Sequence, residues 1–130
     1  MKNKITIITP TFNSSDKIVT NLRSVLEQKF DNLEQIIIDN KSTDNTIEII
    51  KKNSIKKKIK IISKKDKGIF DAINKGIKLS TGNIISILHS DDFYQDNEVL
   101  NNVVKTFENN DVEIVYGNLI YVKKENIKKI

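Results

Sequence analysis

Two adjacent carboxylates, Asp91 and Asp92, follow an apolar run that ends in Leu88 and the pair His89-Ser90. Where a strand gives way to a loop, neighbouring side chains can diverge, one reaching a divalent cation and the other a ribose hydroxyl. Mg²⁺ and Mn²⁺ favour oxygen ligands, and a site with only one or two carboxylates completes its shell with substrate phosphates and water. The plainer role, a helix-start pair that steadies the turn before Asp96, fits the same spacing, which leaves both open. Asp39 closes another apolar run, Ile36-Ile37-Ile38. It suits a base imide or a sugar hydroxyl, and equally an Asx-turn into the next element. His89 could supply a proton or a donor near a diphosphate, or hold the turn, while Phe12 could pack against a nucleobase or belong to the core.

Composition removes other chemistry. The 130 residues contain no cysteine and one histidine, which excludes disulfides, thiolate metal sites, a Cys nucleophile and, within one chain, a multi-histidine zinc site. There is no Gly-x-Gly-x-x-Gly after the first apolar run and no Gly-x-x-x-x-Gly-Lys-Ser/Thr anywhere, so the dinucleotide fingerprint and the P-loop are absent. A nucleotide would have to bind by another device.

The chain has 22 basic and 17 acidic residues, a net charge of +5. The excess gathers between Lys51 and Lys67, where Lys51, Lys52, Lys56, Lys57, Lys58, Lys60, Lys64, Lys65 and Lys67 face only Asp66. Such a run is a solvated helix end and loop, or a patch for an anionic membrane surface or nucleic acid. Arg23 is the only arginine and no aromatics interleave with the lysines, which disfavours nucleic acid. The apolar runs are too short for a bilayer span, and Met1-Lys2-Asn3-Lys4 does not open a signal peptide. A soluble, cytoplasmic chain is the expectation.

The elements that must position these residues alternate. Ile5 to Thr9 is a β-branched strand expected to stop at Pro10. Ser14-Ser15-Asp16 should cap a helix whose inner face is Ile18, Leu22, Val25 and Leu26. Gln35 to Asp39 reads as a buried parallel strand, and Ser42-Thr43-Asp44 caps a helix carrying Ile47 and Ile50 inward. Ile59 to Ile62 is a third strand, and Ile69, Phe70, Ile73 and Ile77 form the stripe of a third helix closed by Thr81-Gly82. Asn83 to Leu88 is a fourth strand, and Leu100, Val103, Val104 and Phe107 mark a fourth helix. Glu113 to Tyr116 and Leu119 to Val122 are expected as two further strands around Gly117-Asn118. The alternation predicts an α/β fold over residues 1–130: one domain with an open, mostly parallel sheet and helices on both faces. Its ligand site belongs at the carboxyl ends of the strands, at Thr9 to Asn13, Asp39 to Ser42, Asp66 to Gly68 and Ser90 to Asp92.

Together, Ile-Ile-Thr-Pro-Thr-Phe-Asn at 7–13, Ile-Ile-Asp-Asn-Lys-Ser-Thr-Asp-Asn-Thr at 37–46, Asp-Lys-Gly-Ile-Phe-Asp-Ala-Ile-Asn-Lys-Gly at 66–76, Ser-Thr-Gly-Asn at 80–83 and Leu-His-Ser-Asp-Asp at 88–92 resemble glycosyltransferase family 2. These are inverting enzymes of the GT-A (Rossmann-like) fold, and the similarity is strongest to bacterial polysaccharide-building members. The resemblance implies that Thr9, Pro10, Thr11, Phe12 and Asp39 hold the nucleoside, usually uridine, with Asp39 reading the base. Ser90-Asp91-Asp92 would be the DXD-type motif, Asp91 toward the ribose and Asp92 toward a divalent metal, Mn²⁺ or Mg²⁺, that bridges the diphosphate. Asp71, Asn74 and Lys75 match the segment backing the donor pocket, with Gly68 letting the chain turn close to it. For Asn74 and Lys75 helix packing and surface charge fit as well, and for Asp44 helix capping fits better.

The implied reaction transfers a sugar from a nucleotide diphosphate to an acceptor hydroxyl, with a metal as Lewis acid on the leaving group and a carboxylate base on the acceptor. Family members are generally longer. The expected acceptor wall and catalytic base lie beyond Ile130, so residues 1–130 correspond to a donor-binding half and no catalytic residue is assigned within them. The implied partners are a nucleotide-sugar donor and a glycan or lipid-linked acceptor, which would bring the chain to the inner face of the membrane. An apolar face left uncovered could drive homo-oligomerisation. The alternatives are a nucleotide-binding fragment without turnover and a basic surface-binding module built on Lys51–Lys67.

Overall fold

The computed structural model describes residues 2–54 and 59–123. Their elements are β1 (Ile5–Thr11), α1 (Ile18–Leu26), β2 (Leu33–Asp39), α2 (Thr46–Asn53), β3 (Ile59–Ser63), α3 (Ile69–Leu79), β4 (Ile84–Ile87) and α4 (Val99–Asn109). The strands form one parallel sheet in the order β3-β2-β1-β4. Thr11 lies opposite Asp39, and Asp39 opposite Ser63, so three strands end level. That alignment gathers the loops after β1, β2 and β3 at one edge.

Alternation along the central strands splits the core in two. On one face Ile5, Ile7, Ile84 and Leu88 pack with Val25, Leu100 and Val104, and Ile37 packs with Ile18, Leu22 and Ile50. On the other, Ile8, Ile36 and Ile38 pack on Ala72 of α3.

Four expectations are corrected. Pro10 does not stop β1; it is buried and lies opposite Ile38. Leu88 N–H donates to Ile8 O, so residues of that parity face β4, and the β4 pairing ends at Ile8 opposite Ile87. The missing N–H of Pro10 therefore costs no ladder bond. The cap cluster before α1 acts differently too: α1 begins after Lys17 with no side-chain cap, and the Ser14 hydroxyl meets Phe12 O and Ser90 instead.

On α3 the inner face is Ala72 and Gly76, while Ile69, Phe70 and Ile77 are exposed. A Cβ on Gly76 would stand 2.5 Å from Ile8 Cγ2, so the helix lies too close to β1 for a large residue there. Finally, residues 113–123 form no strand, and Tyr116 and Tyr121 are at least 90% exposed. A lone hairpin without a covering layer is marginal in water. Lys56, Lys57 and Lys58 of the basic run lie outside the described residues; within them, Lys52 pairs with Glu48 and Lys60 with Glu34.

Candidate functional site

The loops after β1 and β2 are sewn together by short polar side chains. Asn13 adopts a left-handed conformation, φ 45°, tolerable for Asn. Its side-chain oxygen accepts the Thr43 N–H at 2.8 Å, and its own N–H donates to Ser42 Oγ at 2.9 Å. Ser14 N–H donates to Thr46 Oγ1, whose hydroxyl donates to Asp44. Asp44 also accepts the Thr46 N–H at 3.0 Å, and these bonds, the Thr46 hydroxyl first, hold its carboxyl below the usual range. It therefore braces the turn just before α2, whose N-cap is Asn45 and has no side-chain cap bond, so the expected cap acts one residue early.

At the loop after β3, Asp66 N–H donates to Asn40 Oδ1 and the Asp66 carboxylate accepts the Gly68 N–H, both at 2.9 Å. Gly68 has φ 119°, a backbone that side chains oppose. The Ser90 and Ser14 hydroxyls are 2.7 Å apart and tie the fourth loop to the first.

Around these four loops lies an open cavity of about 220 Å³. Pro10, Thr11 and Phe12 line one side, Asn40, Asp66 and Gly68 another, and His89, Ser90 and Asp91 close it. Phe12 is 53% exposed, so its ring stands beside this space rather than being spent in the core. A larger open hollow of about 1630 Å³ lies along β4, α4 and residues 113–122, and Asp91 borders both spaces. Asp92 faces only the larger one.

Neither the Asp91 nor the Asp92 carboxylate group accepts a hydrogen bond or forms an ion pair with another described residue. Loss of solvent and then the charge of Asp91 raise the Asp92 pKa, against a pull down from His89. Two hard, unneutralised carboxylates suit a divalent cation. No group of three or more potential His, Cys, Asp or Glu ligands gathers among the described residues, so any such ion would rely on ligands from a substrate.

Other expected site residues stand behind the cavity. Thr9 is fully buried, its hydroxyl accepting from Gln35 at 2.9 Å. Asp39 is also fully buried: one oxygen accepts the Ser42 hydroxyl, and the other accepts Ser42 N–H at 2.9 Å and Ser63 Oγ at 2.7 Å. Asp71 accepts the Lys67 N–H and pairs with Lys75 at 3.1 Å, which, the Lys67 bond foremost, holds its carboxyl low. Asp71, Asn74 and Lys75 do not line the cavity. Asn40, Asp66, Ile69 and Ala72 also line it: the first two fall in the expected strand-end segments 39–42 and 66–68 but had no individual role assigned. The level strand ends pointed to the first two, while nothing in the pattern marked Ile69 and Ala72.

Comparison with known proteins agrees with this fold. The glycosyl transferase family 2 model matches residues 6–129. The chain is 33% identical over 121 residues to the Escherichia coli UDP-Glc:alpha-D-GlcNAc-diphosphoundecaprenol beta-1,3-glucosyltransferase WfaP, covering 93% of this chain and 47% of the relative. It is 28% identical over 120 residues to the Streptococcus pneumoniae glycosyltransferase GlyG, covering 91% and 40%. The chain thus spans less than half the length of these curated relatives. Among solved structures it resembles S. aureus TarS 1-349 in complex with UDP-GlcNAc, with TM-score 0.76, 27% identity, and coverage of 82% of this chain and 31% of that one. It also resembles the mannosyltransferase PcManGT from Pyrobaculum calidifontis in complex with GDP-Man and Mn²⁺, with TM-score 0.76, 26% identity, and coverage of 81% and 32%. No helix among the described residues is long and apolar enough to cross a membrane. With a matching family model over nearly the whole chain and a fold shared with nucleotide-sugar-bound structures, this chain belongs to glycosyl transferase family 2.

Proposed function

We propose that residues 1–130 form the nucleotide-sugar-binding part of an inverting glycosyltransferase, with a UDP-sugar as donor and a glycan or lipid-linked hydroxyl as acceptor. The observation that carries this reading is the cavity at the strand ends, joined through Asp91 to an unneutralised carboxylate pair. In this reading the nucleoside rests on Pro10, Thr11 and Phe12, with Asn40, Asp66 and Gly68 opposite. Asp91 meets the ribose, and Asp92, a hard oxygen donor, holds a Mn²⁺ or Mg²⁺ ion. When bound, that ion supplies Lewis-acid stabilisation of the leaving diphosphate.

Asp39 accepts three hydrogen bonds, so one acceptor site on Oδ1 remains with which to read the base once this fully buried carboxylate is uncovered. Asp71 and Lys75 support the Lys67-Gly68 turn from behind. Neither Asp91 nor Asp92 serves as general base, since each is committed to ribose or cation. The base and the acceptor wall belong to the part of such enzymes that this chain does not cover, a reading supported by relatives of which it spans 40% and 47%. Peripheral attachment to the inner membrane face would bring a lipid-linked acceptor within reach.

The test is calorimetric titration with UDP in Mn²⁺ and in EDTA, with ADP as control. Metal-dependent binding that prefers UDP is the expected result, and absence of binding to either nucleotide would overturn the proposal. Binding without sugar transfer, in the presence of acceptor, would define the chain as a donor-binding unit without turnover of its own.

A further inference from the structure

The inner face of α1 is apolar at Ile18, Leu22 and Val25, yet Asn21 sits among them at 0% exposure. Its Nδ2 donates to His89 O at 2.9 Å and to Asp92 O at 3.0 Å. Its Oδ1 accepts Gln35 Nε2 at 3.0 Å, and Gln35 in turn donates to Thr9 Oγ1 at 2.9 Å. Two carbonyls can be met only by an NH₂ group, so the orientation of the Asn21 amide is fixed, and it fixes that of Gln35. One cost is visible: Gln35 Oε1 is the single buried side-chain atom without a partner among the described residues. Such an orphan costs about 1–3 kcal/mol.

Ser24 of the same helix and Gln28 just past its end continue the grip. Ser24 Oγ accepts the Tyr94 N–H at 3.1 Å, while Gln28 donates to Asp96 O at 2.6 Å and accepts the Leu100 N–H at 3.0 Å. Asn21 and Ser24, three residues apart, share a face of α1, and together with Gln28 just beyond the end of the helix they hold the chain from His89 to Leu100. Its first member brackets the Asp91-Asp92 backbone, which is closed by Asp92 N–H donating to His89 O at 3.0 Å.

We propose that Asn21 is a positioning residue: it sets the backbone from which Asp91 and Asp92 project and so fixes where a cation can be held. This rests on the reading of Asp92 as a metal ligand. Two variants test it. Asn21→Asp keeps the shape and the acceptor for Gln35 but turns an oxygen toward the two carbonyls; Asn21→Leu removes the donor without adding charge and reads out if the first does not fold. UDP affinity is measured in Mn²⁺ and in EDTA, beside thermal unfolding and a Gly76→Ala control destabilised at a distance.

The expected result is a loss of roughly 10–100-fold in the Mn²⁺-dependent part of the affinity, the scale of outer-shell partners, with the EDTA value unchanged. A merely structural role would lower both values together, as in the control, and a folded variant that keeps the full Mn²⁺ enhancement would overturn the inference. If the wild-type chain shows no Mn²⁺ enhancement, the functional reading fails on its own. Amide exchange of residues 90–92 in the ligand-free chain then decides: faster exchange in the variants supports the clamp, and unchanged exchange refutes it.

Discussion

Two carboxylates at opposite ends of the sheet, Glu34 and Asp92, are treated in opposite ways. At the amino end, Glu34 of β2 is 3% exposed and surrounded by donors: the Thr6 hydroxyl at 2.7 Å, the Thr81 N–H and hydroxyl at 2.8 Å, and the Lys4 and Lys60 ammonium groups at 3.8 and 3.5 Å. Burial alone would raise its pKa, but the bonds from Thr81 and Thr6, with the charge of Lys4, bring it down to about 2. At the carboxyl end, Asp92 has no such donors, and burial and Asp91 raise it. The first arrangement is complete within the chain and locks β1, β2 and the turn before β4. The second is left incomplete by the chain's own donors, and in the proposed function a ligand completes it, which is how a structural charge and a binding charge differ physically.

The difference gives measurable consequences. Asp92→Asn should remove metal-dependent UDP binding, exceeding the ~10–100-fold loss typical of an outer-shell change, while thermal unfolding is unaltered or slightly raised; retained Mn²⁺ enhancement in calorimetry would contradict the assignment. Glu34→Ala should do the reverse, costing about 2–3 kcal/mol in urea unfolding because Thr6 and Thr81 lose a buried partner, with UDP affinity intact in the folded protein.

Gly76→Ala, at the α3–β1 contact between the two ends, should cost about 1–3 kcal/mol by overpacking against Ile8; an unchanged unfolding midpoint would show that the helix has room. Phe12→Ala should weaken UDP by about 0.5–1.5 kcal/mol, the value of an aromatic contact, equally in Mn²⁺ and EDTA. Of these four, only the first should change the metal dependence.

Acid should separate the ends as well. The Glu34 carboxyl is depressed, so its stabilisation is present above the ordinary value of 4.5 and is lost only as pH falls toward about 2. Asp92 is raised, so its share of stability is present when protonated and is lost as pH rises through the raised value; protons therefore begin to displace a cation while Glu34 is still ionised. Titrating from about pH 7 to pH 4 should lower Mn²⁺-dependent UDP affinity before circular dichroism reports unfolding.

The strands and helices were legible because their patterns were local. β1 to β4 are short runs rich in β-branched residues, and α1, α2 and α4 bury one apolar stripe each. α3 was legible as a helix but not in its orientation. Hydropathy favours Ile and Phe as the inner face, whereas close approach to β1 selects Ala72 and Gly76. The alternating residues 113–122 look like strands but form none, because pairing depends on a neighbouring edge that local sequence does not supply.

In the site, the strand-end positions Thr11, Phe12, Gly68, Ser90 and Asp91 followed from topology and meet at the cavity. Asp39 and Thr9 were placed at the right strand ends but lie beneath the surface. Asn21 and Gln35 were invisible within stretches read as apolar, since their importance comes from carbonyls 68 and 71 residues away from Asn21.

The most direct measurement is paramagnetic broadening of backbone amide signals by Mn²⁺ in the presence of UDP. Broadening should centre on residues 89–92 and spread to the loops at 10–12 and 66–68, leaving Thr6, Glu34 and Thr81 sharp. Broadening centred on Glu34 or on the Lys51–Lys67 segment, with residues 89–92 unaffected, would contradict a nucleotide-sugar site at the carboxyl end of the sheet.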